Sequence, residues 1–303
     1  MPDRSDDCRP NGAALAVVVP AHDEAAVIER CLAAMLAEAE PDEFEIVVVC
    51  NGCTDDTAAR ARRSAPKARV IELSEASKAM ALRAGDAAAS VFPRCYVDAD
   101  VVVSTATLRA VAATLREPTD VVVAAPRARA ALADRPWTVR AFYRVWTSLP
   151  FFADGFVGAG FYAFSRAGRR RFGDFPDLIA DDGFARLVAR PTERRTLDAV
   201  EFTFFPPRRL GAVLGVMTRI RAGRRQLRAA HPELLANETT DLGRSLRFLR
   251  KRPSLWLPAT VYLAVMALAE LRARRQLRVG RRVPWQQDVT SRGPAAATEE
   301  AAR

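Results

Sequence analysis

Two carboxylates separated by one residue end an apolar segment in the first third of the chain. Asp98 and Asp100 flank Ala99 and follow residues 94–97, which predict a short strand. Residues two apart in an extended backbone project to the same side. Carboxylate oxygens suit a hard divalent cation such as Mg²⁺ or Mn²⁺ that also holds a diphosphate. A plain turn, where Asp is common, is the alternative interpretation.

Alternating strands and helices precede this pair and must position it. Apolar runs rich in valine and isoleucine predict four strands, over residues 14–20, 44–50, 69–73 and 94–97. Helical patterns lie between them at 25–38 and 77–90. Such runs indicate a parallel sheet covered on both faces, whose ligands lie beyond the carboxyl ends of the strands. Three polar clusters fall at those ends, at 20–24, 51–57 and 98–100.

Four successive motifs resemble the nucleotide-sugar domain of bacterial family 2 glycosyltransferases of the GT-A fold. They are VVVPAHDE, VVVCNGCTDDT, SKAMALRAG and YVDAD, within a resemblance that covers about residues 14–230. The resemblance implies an α/β protein with a Rossmann-like, mixed but mostly parallel sheet flanked by helices. We expect a GT-A domain at 12–230, a basic helical, membrane-associated extension at 231–283 and a flexible tail at 284–303.

The resemblance also implies a donor site at the strand ends. Asn51 stands where many members carry an aspartate that contacts the base, and Lys78 matches a lysine that approaches the diphosphate. The residues expected to bind the donor are Pro20, Ala21, His22, Glu24, Asn51, Asp55, Lys78, Asp98, Ala99, Arg221 and Arg224. A helix-capping role for Asp55 and a solvated surface position for Lys78 are the alternatives.

Within that site the resemblance makes Asp100 the direct ligand of Mg²⁺ or Mn²⁺. Asp98 would share the metal or hold the ribose. The donor would be a nucleotide diphosphate sugar, with a UDP-sugar favoured over a GDP-sugar. The ion would neutralise the charge that builds on the departing nucleoside diphosphate.

Two segments of the second half resemble the family's acceptor side. Gly158, Ala159 and Gly160 resemble a loop before the acceptor site, where glycine lets the backbone approach a ligand. Asp181 and Asp182 resemble the acidic pair that provides the catalytic base of inverting members, and Asp182 is the expected base. It would take the proton of the attacking hydroxyl. A tight turn and a helix cap, respectively, are the alternatives.

Arg221 and Arg224 match the spacing of a family segment that covers the donor diphosphate. Bidentate guanidinium groups suit phosphate oxygens. Processive synthases follow this segment with tryptophan, whereas Arg225 stands here. The resemblance therefore implies an inverting enzyme that moves a single sugar to a glycan or lipid-linked acceptor in cell-envelope polysaccharide synthesis.

The net charge of +10 is concentrated near the C-terminus, where residues 201–303 contain 20 basic and 8 acidic side chains. Arginine outnumbers lysine 43 to 3, which indicates the compositional bias of a GC-rich bacterial genome. Aromatic and basic residues do not interleave as they do in nucleic-acid platforms. The sequence thus argues against a non-catalytic nucleic-acid-binding protein.

An uncharged run of 17 residues, 253–269, lies between clusters of arginine. A spanning helix needs about 20 apolar residues, so this one is short. Trp256 and Tyr262 suit a membrane interface. The favoured interpretation is a peripheral helix on an anionic membrane surface, with a buried core helix and a spanning helix as alternatives.

Five cysteines and no signal-peptide pattern predict a cytoplasmic protein, peripheral at the inner face of the plasma membrane. Cys50 and Cys53 form a CxxC pattern after a strand, which is also typical of redox pairs. Their place in the nucleotide loop argues against that class. A Rossmann dehydrogenase is disfavoured because GxGxxG does not follow the first strand.

Overall fold

The computed structural model describes residues 12–153, 158–239 and 242–278. Its centre is a mixed sheet with strands β1 (Leu15–Ala21), β2 (Phe44–Asn51), β3 (Arg69–Leu73), β4 (Arg94–Val97), β5 (Val102–Val103), β6 (Val123–Ala130), β7 (Phe161–Phe164) and β8 (Arg194–Phe204). The strand order is β3-β2-β1-β4-β7-β6-β8-β5.

Helices cover both faces and extend the C-terminal side. They are α1 (Ile28–Leu36), α2 (Thr57–Ser64), α3 (Lys78–Ala88), α4 (Thr105–Leu115), α5 (Trp137–Trp146), α6 (Pro150–Ala153), α7 (Arg166–Arg169), α8 (Asp181–Val188), α9 (Leu210–Ala230), α10 (Leu242–Arg250) and α11 (Trp256–Arg278). Short 3-10 turns occupy Pro191–Glu193, Pro232–Asn237 and Pro253–Leu255.

The first four strands form the parallel half that the apolar runs predict. β1 pairs in parallel with β2 and β4, and β2 with β3. Every residue of β1 is buried, as a run of apolar residues covered on both faces requires. Helix α3 packs closely on this sheet, since a Cβ added at Gly85 would lie 2.3 Å from Val18 Cγ1.

The helix predicted at 25–38 is shorter in the structure, where α1 begins at Ile28. The backbone N–H of Glu24 donates to Thr57 Oγ1 at 2.8 Å, and that of Ala25 donates to Asp55 Oδ2 at 3.1 Å. These contacts hold the segment after β1 as a turn against the neighbouring loop. The polar residues before α1 therefore lie at the edge of the sheet where the parallel strands end, instead of inside a helix.

Strand β7 gives the sheet its mixed character, because it runs antiparallel to β4 and β6. Antiparallel pairing places the start of β7 beside the end of β4, with Phe161 opposite Val97. Tyr96 and Tyr162 face each other across this pair with ring centroids 5.1 Å apart. The loop before β7 is thereby brought to the aspartates that follow β4.

A separate apolar cluster joins α5, α9 and α11. It contains Phe142, Val213, Met217, Val265 and Ala269, all buried. Most of the uncharged run 253–269 therefore lies in α11, which has one face in a core. This packing corresponds to the alternative of a buried core helix, for one face of the helix. Residues 284–303, the expected tail, lie outside the described residues, and the proposed division into domains remains a prediction.

A buried ion cluster fixes α3 to β4 and α7. Asp86 Oδ1 accepts from Arg94 Nη1 at 2.7 Å and from the Tyr96 hydroxyl at 2.5 Å, and Asp86 Oδ2 lies 2.7 Å from Arg169 Nη2. Burial of the Asp86 carboxyl would raise its pKa, but hydrogen bonds from Arg169, Tyr96 and Arg94 hold that pKa below its ordinary value. The carboxylate thus stays charged between two arginines.

We predict that Asp86→Asn lowers the free energy of unfolding by about 3 kcal/mol at pH 7, because two half-buried guanidinium groups lose their partner. Since folding lowers the pKa of Asp86, its contribution is complete above the ordinary value of 3.8 and is lost as the pH falls below it. Urea unfolding of both proteins from pH 7 to pH 3 should show the difference shrinking at acid pH.

Asp56→Asn is the matched control, because Asp56 pairs with Arg60 on the exposed surface of α2. We expect this variant to change stability little. A loss in Asp86→Asn no larger than the control's, or one independent of pH, would contradict the assignment.

Candidate functional site

Asp23 locks the loop after β1 to the loop after β2. Its backbone has φ +49°, in the left-handed region that a non-glycine residue adopts only when held there. Asp23 Oδ1 accepts the backbone N–H of Thr54 at 2.6 Å and that of Asp55 at 3.3 Å. These bonds stabilise the unusual backbone and fix two of the three predicted polar clusters relative to each other.

Asn51, predicted to face the base, is fully buried. Its amide nitrogen donates to the Ala21 carbonyl at 2.7 Å, and its amide oxygen accepts the Ser77 N–H at 3.0 Å. The side chain therefore joins the loops after β1 and β2 to the start of α3. In this structure Asn51 holds these segments together from within the protein.

The other residues expected around the nucleotide differ in exposure. Pro20, Ala21 and Glu24 are buried at the carboxyl end of β1 and just after it. His22 keeps 18% of its side chain exposed, and its Nδ1 lies 2.7 Å from the Asn51 carbonyl oxygen. Asp55 is exposed and its Oδ1 accepts the Thr57 N–H at 3.0 Å at the start of α2, although the N-cap residue of that helix is Asp56.

Cys53 lies beside these residues, and its Sγ accepts the Asp23 N–H at 3.4 Å. Its contact with the Cys50 thiol lowers the pKa of Cys53 to about 7. The ligand atoms of His22, Asp23 and Cys53 lie within 4.8 Å of one another. This nitrogen, oxygen and sulfur set suits a softer metal such as zinc, in contrast to the all-oxygen pair Asp98 and Asp100.

Lys78 joins the two acidic pairs that the sequence singled out. At the first turn of α3, its Nζ lies 2.7 Å from Asp98 Oδ1 and 3.1 Å from Asp181 Oδ1. Burial would lower the pKa of Lys78, but Asp181 and Asp98 outweigh it and raise that pKa above the ordinary value. Lys78 is therefore a half-buried, charged bridge and not a solvated surface lysine.

Asp181 and Asp182 lie side by side in different environments. Asp181 is buried, and its Oδ2 accepts the Tyr162 hydroxyl at 3.1 Å. Burial raises the pKa of Asp181 to about 6, although Lys78 opposes the rise. Asp182 is partly exposed and its Oδ1 accepts the N–H of Gly183 at 2.7 Å. Asp181 anchors the pair, while Asp182 is the one that solvent and a ligand can reach.

The glycine loop before β7 touches both acidic pairs. The Asp98 N–H donates to the Gly160 carbonyl at 2.8 Å, and a Cβ added at Gly160 would lie 3.3 Å from Asp98 Oδ2. Gly158 lies against Asp182, because an added Cβ would be 2.1 Å from the Asp182 Cβ. Between them, Ala159 has φ +41°. Only a backbone without side chains at 158 and 160 fits between the carboxylates.

Asp100 lies at the same edge and is partly exposed, whereas Ala99 is buried. The backbone carbonyl of Asp100 accepts from Arg30 Nη2 at 3.3 Å, which fixes the segment after β4 to α1. Arg30 in turn lies over the Phe205 ring, with its guanidinium carbon 3.9 Å from the ring centroid. Ala99 can contribute only its backbone to a ligand, and Asp100 contributes a carboxylate.

Helix α9 carries the predicted arginines and packs on the segment before Asp181. Its Gln226 side chain accepts the Ile179 N–H at 3.1 Å and donates to the Asp177 carbonyl at 3.0 Å. Arg221 is partly buried and Arg224 is exposed. Arg225, where processive synthases have tryptophan, forms an ion pair with Glu270 of α11. The arginines thus lie on a helix that is fixed to the segment just before the acidic pair.

Three contributors escaped the sequence reasoning as site residues. The loop clamp Asp23, the Tyr162 hydroxyl and the Gln226 clamp all act through partners distant in sequence. A sequence pattern predicts the helix, strand or turn in which a residue lies. It does not predict which distant segment the side chain contacts. Only the positive φ of Asp23 has a local signal, since Asp tolerates that conformation better than most residues.

The family model described as glycosyl transferase family 2 matches residues 16–174. No curated protein matches the chain.

Two solved structures share the fold. A mannosyltransferase from Pyrobaculum calidifontis, solved with GDP-Man and Mn²⁺, is 25% identical with a TM-score of 0.59, covering 88% of this chain and 79% of that one. Glucosyl-3-phosphoglycerate synthase from Mycobacterium tuberculosis, solved with Mn²⁺, UDP-Glc and phosphoglyceric acid, is 20% identical with a TM-score of 0.51, covering 76% and 82%.

The predicted fold class is confirmed: a mixed, mostly parallel sheet flanked by helices, with a C-terminal helical extension. The family match covers more than half of the 303 residues and includes the loops after β1, β2 and β4. The chain belongs to glycosyl transferase family 2 and is a glycosyltransferase of the GT-A fold.

Proposed function

We propose that this nucleotide-sugar glycosyltransferase is metal-dependent and inverting, and that it transfers a single sugar. The observation that carries the proposal is the Lys78 bridge between Asp98 and Asp181. It places a carboxylate pair suited to a metal and diphosphate beside a second pair suited to a base. Asp98 and Asp100 follow β4, at the carboxyl ends of the parallel strands where ligands of such sheets bind, and Lys78 holds Asp181 beside them.

For the donor side, we propose that Asp100 is the direct metal ligand and that Asp98 shares the ion or holds the ribose. Two carboxylates beside a glycine backbone fit Mg²⁺ or Mn²⁺, which prefer oxygen ligands. When bound, such an ion neutralises charge on the leaving diphosphate. Lys78, Arg221 and Arg224 supply positive charge from the chain itself.

The nucleotide base would lie in the pocket closed by Pro20, Ala21, His22 and the loop that carries Asp55. The resemblance to the family favours a UDP-sugar as donor. The GDP-Man bound to the Pyrobaculum mannosyltransferase supports a GDP-sugar as the alternative.

For the acceptor side, we propose that Asp182 takes the proton of the attacking hydroxyl. A general base must come within hydrogen-bond reach of the acceptor hydroxyl. Asp182 is partly exposed, whereas Asp181 is buried and paired with Lys78 and Tyr162. The backbone of residues 158–160 would border the acceptor, a glycan or a lipid-linked sugar of the cell envelope.

The proposed location is the cytoplasm, peripheral at the inner face of the plasma membrane, with no nucleic-acid partner. The four described cysteines are free thiols, as a reducing compartment favours. Arginines flank an exposed apolar helix face near the C-terminus, which supports contact with an anionic membrane surface.

We predict that a nucleoside diphosphate with Mn²⁺ raises the thermal midpoint of the protein more than either alone. A ligand at about 100 times its Kd stabilises the native state by about 2.7 kcal/mol. Asp100→Asn should abolish the extra shift from Mn²⁺, measured by differential scanning fluorimetry with UDP and GDP.

Asp120→Asn removes an exposed aspartate elsewhere and should keep the full shift. If neither nucleotide raised the midpoint with Mn²⁺, or if Asp100→Asn behaved as the control does, the donor site would be wrong.

We predict that Asp182→Asn lowers kcat by about 10²- to 10⁴-fold, the usual contribution of a positioned base. The KM for the donor should change little, because donor contacts come from other loops. The measurement is transfer of radiolabelled sugar from UDP- and GDP-sugars to extracted cell-envelope lipids and glycans. Asp177→Asn, at an exposed position on the preceding segment, is the control and should keep wild-type turnover. Near-normal turnover in Asp182→Asn would exclude Asp182 as the base.

Gly158→Ala tests the position of the same base without changing its chemistry. The new Cβ would clash with the Asp182 Cβ, so the carboxylate must move. A displacement of about 1 Å can cost about 100-fold in rate, and we expect a loss of that order in kcat. Gly173→Ala enters open space and should be silent. Equal activity of the two variants would show that Gly158 does not constrain the base.

A further inference from the structure

Helix α11 has two unlike faces. One face packs on α5 and α9 through residues such as Val265 and Ala269. On the opposite face the large apolar side chains remain between 50% and 66% exposed, namely Trp256, Leu257, Leu263, Leu268 and Leu271. A surface helix in water normally carries polar side chains there, so this outer face is unusual for a soluble domain.

The outer face is uncharged along most of the helix. Its remaining exposed positions are Thr260, Ala264 and Ala267, so none of the exposed positions from 256 to 271 is charged. The one charged residue in this span, Glu270, is partly buried and pairs with Arg225 of α9 and with Arg274. At 1.5 Å per residue this apolar stripe is about 24 Å long. It is continuous and lies along one side of the helix, as an interface with an apolar phase requires.

Basic side chains mark both ends of the stripe. Arg250, Lys251 and Arg252 precede it and are exposed, and Arg272 and Arg275 follow it and are exposed. Arginine beside exposed leucine complements a surface that is apolar in its interior and anionic at its boundary. A phospholipid bilayer with anionic headgroups has this combination of properties.

The packing of α11 also fixes its orientation to such a surface. Residues Pro253–Gln276 are long and apolar enough, by length and composition, to cross a membrane. A crossing helix would have to detach from the domain, because its inner face lies in the cluster with Phe142 and Met217. A helix that keeps this packing can only lie parallel to the bilayer, with its outer face in the interface.

Helix α10 extends the same surface. Leu246 is 63% exposed on a helix whose other positions include Arg244, Arg247 and Arg250. The Trp256 indole N–H donates to the Leu249 carbonyl at 3.2 Å, which ties the start of α11 to the end of α10. The two helices therefore present one joined apolar and basic face.

We propose that the outer face of α10 and α11 lies flat on an anionic phospholipid bilayer and holds the domain there. The apolar stripe enters the interface, and the arginines at its ends contact lipid phosphates. The proposed function is needed only to assign the domain to the cytoplasmic side of that membrane.

The test is sedimentation of the full chain with phosphatidylcholine vesicles and with vesicles that also contain phosphatidylglycerol. We expect binding to the anionic vesicles to be stronger and to weaken in high salt. The double variant Leu257→Gln/Leu268→Gln should lose at least about tenfold in partitioning, because apolar area leaves the interface. Met80→Gln, which removes an exposed apolar side chain from α3, should bind as wild type.

The arginines are tested in the same assay. Basic side chains near the surface strengthen binding through their attraction to anionic lipid. The double variant Arg272→Gln/Arg275→Gln should therefore weaken binding to anionic vesicles by about 25-fold. Arg62→Gln/Arg63→Gln removes the same charge from exposed positions of α2 and should have little effect. Thermal unfolding of each variant shows whether it is folded.

Equal binding to both vesicle types, or variants that bind as wild type, would overturn the proposal. So would a stable dimer in light scattering that the leucine variant dissociates, since a second copy would then cover the face. Failure to sediment with either kind of vesicle would overturn it as well. Nucleotide binding measured without vesicles tests the donor site separately, so the two failures can be distinguished.

Discussion

The attraction between Lys78 and two aspartates on different parts of the chain is the interaction on which the site depends. A lysine that loses much of its hydration keeps its charge only when carboxylates replace the water. Asp98 and Asp181 do so at 2.7 and 3.1 Å. The same contacts hold the segment after β4 and the start of α8 together, so the proposed donor and acceptor sides share one fixed point.

The antiparallel strand β7 makes this arrangement possible. Because it pairs with β4, its preceding glycine loop reaches Asp98 and its Tyr162 reaches Asp181. A fully parallel sheet would place the start of the neighbouring strand at the opposite edge. The mixed topology therefore brings the second acidic pair to the ligand-binding edge of the parallel half.

The sequence predicted the strands of the parallel half well, because uninterrupted apolar runs have few alternatives to a strand covered on both faces. It also singled out Lys78, Asp98, Asp181 and Asp182, although without their contacts. The inward orientation of Asn51 could not be predicted. Its amide bonds to segments that are distant in sequence, and the residues around it contain no signal for those contacts. The two-faced character of α11 depended on packing against α5 and α9, which composition does not specify.

The most direct test of this account is a crystal structure with a nucleoside diphosphate and Mn²⁺, with an anomalous difference map recorded at the manganese edge. The account predicts one strong peak bound by the Asp100 carboxylate and by diphosphate oxygens, with Lys78 and the acidic pair Asp181 and Asp182 alongside. A peak bound by His22, Asp23 and Cys53, or a nucleotide bound away from the ends of β1, β2 and β4, would contradict it.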